Sequence, residues 1–439
     1  MVVLKSKFYS QLKRNRYRLK CTIYKIDGFR LERVYGIRSK KKPSILILIF
    51  LRSFGNVLGI LYTPALPSLA DYFHVTKADA QKTISFYLIG CLLAQIAYTP
   101  IAKALGRKPA LYAGCALALL GSLLCLFSIH IHSFFLMLLG RGLTAFGASC
   151  GVFVTNTLLA DSYSLHEQKK ILSYLLSSFA ILPAISICLG GFITEYVSWQ
   201  GCFYFMLMYA LFVSGMSLLL SETIKEKGSH HLHPIIIIKS YFKQFLKPIS
   251  GLYAIIAACA AILLYVFSAE APFIATNKLH IPAHHFGLYN LIPNIGLFLG
   301  GIVSAHLNHR FSSKALILAG GCGFFLFSAI MWLFFDVGFV NVLTLFGAPI
   351  LIFFVTPFII SQSQAASVAA SEDKVYASSS LYIIQYFWMF LTITVLGLFP
   401  AQDSSALPIV YSCSGILIII LWVVVQRLSA RKSSYTQRD

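Results

Sequence analysis

Three ionisable side chains, Glu270, Arg141 and Arg52, lie inside long apolar runs of the sequence. An ionised group in the hydrocarbon of a bilayer is costly, so such a position is functional by default. A carboxyl group there can take up and release a proton near neutral pH, and we predict that Glu270 binds the proton or a cationic substrate. The alternative is an acid at the membrane interface, just ahead of a helix-ending Pro272.

Each of the two arginines has two interpretations. Arg141 lies too deep in its apolar run to be only an anchor at a helix end, and we predict a functional role for it. Arg52 lies nearer the start of the first run. Either its long side chain reaches back to the membrane surface, or it faces a cavity and attracts an anionic substrate.

Uncharged polar and aromatic side chains recur at helical spacing in two later runs. Asn290 and Asn294 share one face of a helix, and Tyr382, Gln385 and Trp388 share one face of another. Such faces suit a ligand with a flat apolar surface. The alternative is that the same residues form hydrogen bonds between helices and stabilise the bundle. Further candidates for the substrate site are Asn56, Gln95 and Tyr265.

The composition places these residues in a membrane. Of 439 residues, 58% are hydrophobic and 12% are charged, and the mean hydropathy is +0.76, whereas soluble domains carry roughly 25% charged residues. This excludes a soluble enzyme and predicts an all-α membrane protein. Twelve apolar runs of spanning length divide six and six around the polar segment SETIKEKGSHHLHP. The runs cover residues 44–67, 82–102, 109–129, 133–158, 170–193, 201–220, 251–273, 285–307, 314–335, 338–361, 376–399 and 405–427.

Basic residues predict the orientation of these spans. Residues 1–42 hold 14 of the 36 Lys and Arg residues, and most others fall in loops on the same side of a twelve-span topology. The positive-inside rule therefore places both termini in the cytoplasm. The predicted parts are a basic cytoplasmic tail 1–43, a six-helix bundle 44–220, a cytoplasmic linker 221–250, a second six-helix bundle 251–427 and a cytoplasmic tail 428–439.

No pattern in the sequence indicates a cofactor or a metal site. His230, His231 and His233 in the central polar segment are expected to be solvated. The sequence has no glycine-rich phosphate loop and no grouping of a nucleophile with its base. We therefore predict a protein that is not an enzyme, needs no cofactor and binds no nucleic acid, despite its basic tail.

Two segments, one from each half of the chain, resemble each other. ALGRKPALYAG, from Ala104, aligns with RFSSKALILAG, from Arg310, at the loop between the second and third run of each half. A parallel repeat of two six-helix bundles is typical of the major facilitator fold. The chain resembles the major facilitator superfamily, and within it the bicyclomycin/chloramphenicol-resistance branch of drug:proton antiporters. The resemblance rests on YTPALPSLADYF, PIAKALGRKPAL, the stretch from Arg141 to Gly147, Pro183 with Gly190 and Gly191, and Ala271 to Phe273.

The resemblance implies a gating loop. Lys103, Gly106, Arg107 and Lys108 match a loop motif that locks the ends of neighbouring helices, and Gly106 supplies its permissive backbone. Lys103 stands where the family usually has Asp, so the usual charge relay is altered. Simple anchoring of the loop at the cytoplasmic surface is the alternative.

The resemblance also implies roles inside the spans. Pro183, Gly190 and Gly191 match a motif that bends the fifth helix and lets it pack closely, and Arg141 matches an arginine linked to proton transfer. Ile60 stands where this branch commonly carries Asp. Coupling has therefore moved to Glu270, or the mechanism is a different one.

Together these features predict a monomeric secondary active transporter in the bacterial inner membrane. Its predicted task is proton-coupled efflux of small amphipathic compounds or drugs by alternating access. One alternative is a dedicated carrier of a single metabolite, such as a siderophore, an amino acid or another anion, with Arg52 or Arg141 binding the negative group. A non-transporting membrane receptor is the other.

Overall fold

Helices form nearly all of the chain that the computed structural model describes, which comprises residues 42–220, 247–371, 374–400 and 403–436. The α-helices of this part are α1 (Ile45–Ile60), α2 (Leu66–Phe73), α3 (Lys77–Leu105), α4 (Arg107–His130), α5 (Phe134–Ala148), α6 (Cys150–Ser162), α7 (Leu165–Tyr196), α8 (Gly201–Leu218), α9 (Pro248–Phe273), α10 (Ala283–Tyr289), α11 (Leu291–Leu307), α12 (Ser313–Asp336), α13 (Pro349–Ala369), α14 (Lys374–Leu396) and α15 (Ala406–Thr436).

Eleven helical segments in the described residues are long and apolar enough to cross a membrane. They correspond to eleven of the twelve runs predicted from the sequence. The remaining run, 170–193, lies in α7, whose apolar part is Ile181–Tyr196. The all-α membrane fold is thus confirmed, whereas the count of twelve stays a prediction.

Proline interrupts the first span. Pro64 has no N–H to donate to the carbonyl of Ile60, and α1 ends at that residue. The hydroxyl of Thr63 donates to Ile60 O instead, at 2.8 Å. After a 3-10 turn the chain continues as α2 to Phe73. The predicted run 44–67 is therefore too short, because hydropathy marks the apolar part of a span and not the end of its helix.

The eighth span is interrupted at a residue that the sequence analysis assigned to the substrate site. Asn290 separates α10 from α11, because Pro293 cannot donate to the carbonyl of Tyr289. The side chain of Asn294 donates to Asn290 O at 2.7 Å. This amide therefore supplies a hydrogen bond to the backbone at the break.

Two helix ends differ from the predictions. α9 does not end at Pro272, since it reaches Phe273 and continues as a π-helical turn, Ile274–Lys278. α15 reaches Thr436, so the predicted tail 428–439 begins as part of the last helix. In both places the helix outlasts the apolar run that the sequence shows.

The outer surface of the helices is apolar. Large hydrophobic side chains such as Leu120, Phe127, Leu333 and Leu211 are about half exposed. A soluble monomer rarely exposes so extended an apolar surface. Lipid chains cover such a surface, as the composition predicts.

Helix ends lie at two levels of the structure. The start of α3 meets the last turns of α9, and the end of α7 meets the start of α10. We call this level the Lys77 end. The loop between α3 and α4 lies at the opposite level, which we call the Arg107 end. For brevity, α1–α8 are the N-terminal helices and α9–α15 the C-terminal helices.

Candidate functional site

Glu270 lies between the N-terminal and the C-terminal helices. Its side chain is fully buried on α9, and Oε2 is 2.6 Å from Lys77 Nζ on α3. Gln81 Nε2 donates both to Glu270 Oε1 and to Ala269 O, each at 3.1 Å. A cation and an amide from one half of the chain therefore hold a carboxylate from the other half.

The start of α3 explains how Lys77 and Gln81 reach the same carboxylate. The hydroxyl of Thr76 accepts from Asp79 N at 3.1 Å and caps the helix. Residues four apart lie on one helix face, which turns Lys77 and Gln81 toward α9. The Lys77 side chain is only 8% exposed, so the pair is shielded from water. Glu270 was predicted from the sequence, whereas both of its partners were missed, because they lie just ahead of the second predicted run, 82–102.

A second contact joins the two sets of helices at the Lys77 end. Glu195 Oε2, in the last turn of α7, accepts from Ala283 N at 3.0 Å and lies 3.8 Å from His284 Nδ1. The rings of Tyr196 and His284 are 5.3 Å apart. This end of the structure is therefore closed by contacts on two sides.

Glycines allow α7 to approach both neighbours at this end. A Cβ atom on Gly190 would lie 1.7 Å from Leu61 O, and one on Gly191 would lie 2.4 Å from Ala283 O. No side chain fits at either position. Pro183 lies buried earlier in the same helix. The three residues assigned to helix packing thus lie on α7, with the glycine pair between the first span and α10.

Arg141 on α5 is fully buried and holds the end of α1. Nη1 donates to Leu58 O at 2.7 Å and Nη2 donates to Gly59 O at 2.8 Å. These carbonyls lie in the last turn of α1, where they lack helical partners and carry partial negative charge. The guanidinium also lies over the rings of Tyr62 and Tyr87, at 4.1 and 4.6 Å from their centroids. Its charge is thus balanced by carbonyls and π-faces.

Aromatic hydroxyls surround the middle of the interface between the two sets of helices. Tyr87 on α3, Tyr265 on α9 and Tyr386 on α14 all lie near the Cys91 thiol, and Tyr386 also lies near Tyr382. The Tyr87 hydroxyl donates to Gly55 O at 2.5 Å. Tyr265 and Tyr382 were assigned to the substrate site from the sequence, and the structure places them in this tyrosine cluster. Their shared location shows only in three dimensions, because three separate helices contribute.

Arg52 lies on the first span, on the Arg107 side of this cluster. Its Nη1 donates to Asn156 Oδ1 on α6 at 2.9 Å. Arg52 and Asn56 are half-buried on one face of α1, and Asn156 is exposed. Asn156 was missed by the sequence analysis, since a single Asn in an apolar run gives no spacing signal.

The other predicted lining residues lie apart from Arg52. Asn290 and Asn294 are buried, and Asn294 donates to the backbone of Asn290 within the eighth span. Asn290 Nδ2 and Asn294 Oδ1 have no hydrogen-bond partner in the described part. The Gln385 Nε2 atom is likewise buried without a partner there. Trp388 and Gln95 are half-buried.

The loop between α3 and α4 carries the predicted gating residues. Gly106 has a φ of 111°, a conformation that favours glycine, and it separates the two helices. Arg107 Nε lies 3.1 Å from Asp161 Oδ2 at the end of α6, and Lys108 Nζ lies 5.4 Å from the Tyr112 ring. The Lys103 side chain lies outside the described residues. Asp161 is thus the acid that ties this loop to a neighbouring helix.

The described residues hold no group of three or more His, Cys, Asp and Glu side chains that could bind a metal ion. The predictions for His230, His231 and His233 fall on residues 221–246, outside the part of the chain that the structure describes.

Comparison with known proteins agrees with this arrangement. Residues 45–393 match the Major Facilitator Superfamily. The chain is 27% identical to Multidrug resistance protein MdtL of Shewanella oneidensis, over 86% of this chain and 95% of that one. It is 19% identical to Multidrug resistance protein D of Escherichia coli, over 88% and 96%. A Bicyclomycin resistance protein homolog of Haemophilus influenzae is 23% identical over 58% and 62%.

The solved structures support the same fold. A D-xylose-proton symporter superposes with a TM-score of 0.71 at 13% sequence identity, covering 86% of this chain and 96% of that one. At this identity the likeness concerns the fold alone. The family match covers most of the chain, and multidrug resistance proteins and a bicyclomycin resistance protein homolog are among its relatives, so the chain belongs to the Major Facilitator Superfamily.

Proposed function

We propose that this transporter exports small amphipathic compounds in exchange for protons, by alternating access in the bacterial inner membrane. The observation that carries this proposal is the buried ion pair between Lys77 and Glu270, which joins the two halves of the chain. A rocking-bundle transporter must make and break contacts of this kind at each end.

The orientation of the pair follows from the basic residues. Arg310 lies in a loop at the Arg107 end, and Arg107, Lys108 and Lys314 lie in the first turns of the helices that follow such loops. Segments rich in basic residues face the cytoplasm by the positive-inside rule. We count α7 as a twelfth crossing, because 32 helical residues extend about 48 Å. Both termini are then cytoplasmic, and the Lys77 end faces the outside.

In this orientation the ion pair closes the outer end. Opening this end separates Lys77 from Glu270 and leaves a carboxylate without its cation in a poorly solvated place. A proton on Glu270 offsets that cost. Opening to the outside and proton uptake from the outside are thereby linked.

Closure reverses the step. Lys77 returns to the carboxyl group and displaces its proton, and the closed packing now separates Glu270 from the outside. The proton leaves toward the inside. Substrate bound from the cytoplasm stabilises the opening step, so one substrate moves outward as one proton moves inward.

The relatives support the substrate class. Two of them are called multidrug resistance proteins, and the tyrosine cluster offers flat apolar faces with hydroxyl groups. Aromatic side chains with a polar tip suit amphipathic ligands.

The test is proton release from acid-loaded inverted vesicles that contain the protein, followed with a pH-sensitive dye. Lipophilic cations, neutral drugs and metabolite anions are added in turn. We expect substrate-triggered proton efflux in the native protein and none in Glu270→Gln. Glu195→Gln is the matched control, because it changes another acid at the same end. A full response in Glu270→Gln, or no response to any compound, contradicts the proposal.

A further inference from the structure

We infer that Arg52 and Asn156 bind the negatively charged group of an amphipathic substrate. The inference rests on the proposed transport function and narrows its substrate class to anions with a flat apolar body. It is carried by an interior cation that, within the described residues, pairs with no carboxylate and contacts one neutral amide.

The interior charges of the described residues differ in how they are compensated. Glu270 pairs with Lys77, and Arg141 is held by two carbonyls and two aromatic rings. Arg52 donates to a neutral amide, Asn156, and no carboxylate of the described chain pairs with it. Its Nε is buried without a hydrogen-bond partner. A partly buried guanidinium without a carboxylate partner attracts an anion.

The guanidinium of Arg52 points across the bundle and not back along its own helix to the surface. Asn156 lies six residues before the end of α6 at Ser162, which is about 9 Å inside that end. The hydrogen bond between Arg52 and Asn156 therefore keeps the charge away from the membrane surface. This geometry favours the interpretation that Arg52 faces a cavity over the one in which it reaches back to the interface.

The face that carries Arg52 is accessible and polar. Arg52 and Asn56 are half-buried, whereas Leu51, Phe54 and Leu58 on the other faces of α1 are fully buried. Lipid-facing positions of this protein hold large apolar side chains. Accessible charged and amide groups in a spanning helix line a water-filled pathway instead.

The two side chains offer a complete set of donors for an anion. The guanidinium presents planar N–H groups that match a carboxylate, sulfonate or phosphate. Asn156 Oδ1 accepts from Arg52, so its amide N–H groups are directed elsewhere and add further donors. No acid lies in this pair to compete for the guanidinium.

The tyrosine cluster begins one helical turn from Arg52 and offers a surface for the apolar body of the ligand. The Tyr87 hydroxyl donates to Gly55 O, three residues after Arg52, and its ring lies along Gly59. Tyr87 itself is fully buried, with Arg141 against its ring, whereas Tyr265 and Tyr386 of the same cluster are half-buried. A ligand with an anionic head at Arg52 would lay a flat ring system against Tyr265 and Tyr386.

Three compounds that share a naphthalene ring and carry an anionic, a neutral or a cationic head group test this inference. The anion is naphthalene sulfonate, the neutral analogue is naphthyl methyl sulfone, and the cation is naphthylmethyl trimethylammonium. Binding to the purified full-length protein is measured by isothermal titration calorimetry. We expect the anion to bind about tenfold to a hundredfold more tightly than the neutral analogue. Equal binding of the two, preference for the cation, or no binding of the anion overturns the inference.

Two variants test whether Arg52 and Asn156 cause the preference for the anion. Arg52→Gln should remove the preference for the anion and leave the affinity for the neutral analogue within about threefold. Asn156→Asp keeps Arg52 and the shape of its partner but supplies an internal carboxylate, and it should abolish the preference as well. Preference for the anion that survives in both folded variants contradicts the inference.

Transport of the same compounds separates this inference from the proposed function. Sulfonate binding that depends on Arg52, without proton-coupled movement of sulfonate in vesicles, supports the site and contradicts the export proposal. Proton-coupled transport that shows no dependence on ligand charge supports export and contradicts the site.

Discussion

Lys77 Nζ and Glu270 Oε2 are 2.6 Å apart, although 193 residues separate them in the sequence and they belong to opposite halves of the chain. Gln81 adds a hydrogen bond to the second carboxylate oxygen. Removing one partner of a buried ion pair leaves an uncompensated charge, which typically costs about 3–5 kcal/mol. The closed Lys77 end therefore depends on both side chains.

Loss of Lys77 should open this end. In a protein without its native cysteines, Ala78→Cys on α3 and Gly397→Cys after α14 place two thiols close together, because a Cβ atom on Gly397 would lie 3.5 Å from Ala78 Cβ. We expect efficient cross-linking in this background and a several-fold lower yield when Lys77→Met is added, since the closed state loses its ion pair. Lys82→Met, on an exposed lysine of the same helix, should leave the yield unchanged. Equal yields for both lysine variants would contradict the prediction.

Exchanging the two charges should restore closure. Lys77→Glu alone places two carboxylates together and should lower cross-linking, whereas the double variant Lys77→Glu with Glu270→Lys should recover it. The double variant should also recover part of the substrate-triggered proton release, because the carboxyl group, now at position 77, still loses its cation when this end opens. Restored closure without any proton release would contradict coupling through the ion pair.

Arg141 should stabilise the break in the first span. Arg141→Met removes the donors to Leu58 O and Gly59 O and should destabilise the protein by about 2–4 kcal/mol, since hydrogen bonds from a charged group contribute about 1.5–3 kcal/mol. Arg141→Lys should recover part of this, because an ammonium cannot reach both carbonyls with the same geometry. Thermal unfolding in detergent measures the stability of both variants. Equal stability of the native protein and Arg141→Met would contradict the stabilising role of Arg141.

Gly190 should tolerate no side chain. Gly190→Ala places a Cβ against Leu61 O and should cost about 1–3 kcal/mol through a forced shift of the helices. Gly301→Ala is the matched control, because a Cβ there meets nothing within 4 Å and alanine favours helix by about 1 kcal/mol. Unfolding temperatures that rank the two variants in the opposite order would contradict this account of α7 packing.

Asp161 should anchor the loop between α3 and α4. Asp161→Asn removes the charge that Arg107 contacts at 3.1 Å, and we expect a loss of stability of at most about 1 kcal/mol, because both side chains are partly exposed. Transport should decrease more than stability if the loop acts as a gate. A variant with native transport would favour the alternative of simple cytoplasmic anchoring.

Local sequence patterns are sufficient to predict several features of this protein. Runs of apolar residues determine where helices must be, because each spanning backbone has to satisfy its own hydrogen bonds in lipid. The excess of Lys and Arg in particular loops predicts orientation, and motifs such as GRGLTAFG around Arg141 identify the superfamily. The position of Glu270 inside a span was predicted as well, because an acid inside an apolar run is rare and costly.

Tertiary structure alone decided which of these groups meet. In the sequence Lys77 is an ordinary lysine near the start of a span. Only the packing of α3 against α9 brings it to Glu270. The two arginines look alike in the sequence. In the structure Arg141 donates to two carbonyls at the end of α1, where a proline interrupts the span, while Arg52 donates to a neutral amide. Whether a buried charge has a partner depends on distances of a few ångströms between helices that are far apart in the chain. A local sequence pattern contains no information about those distances.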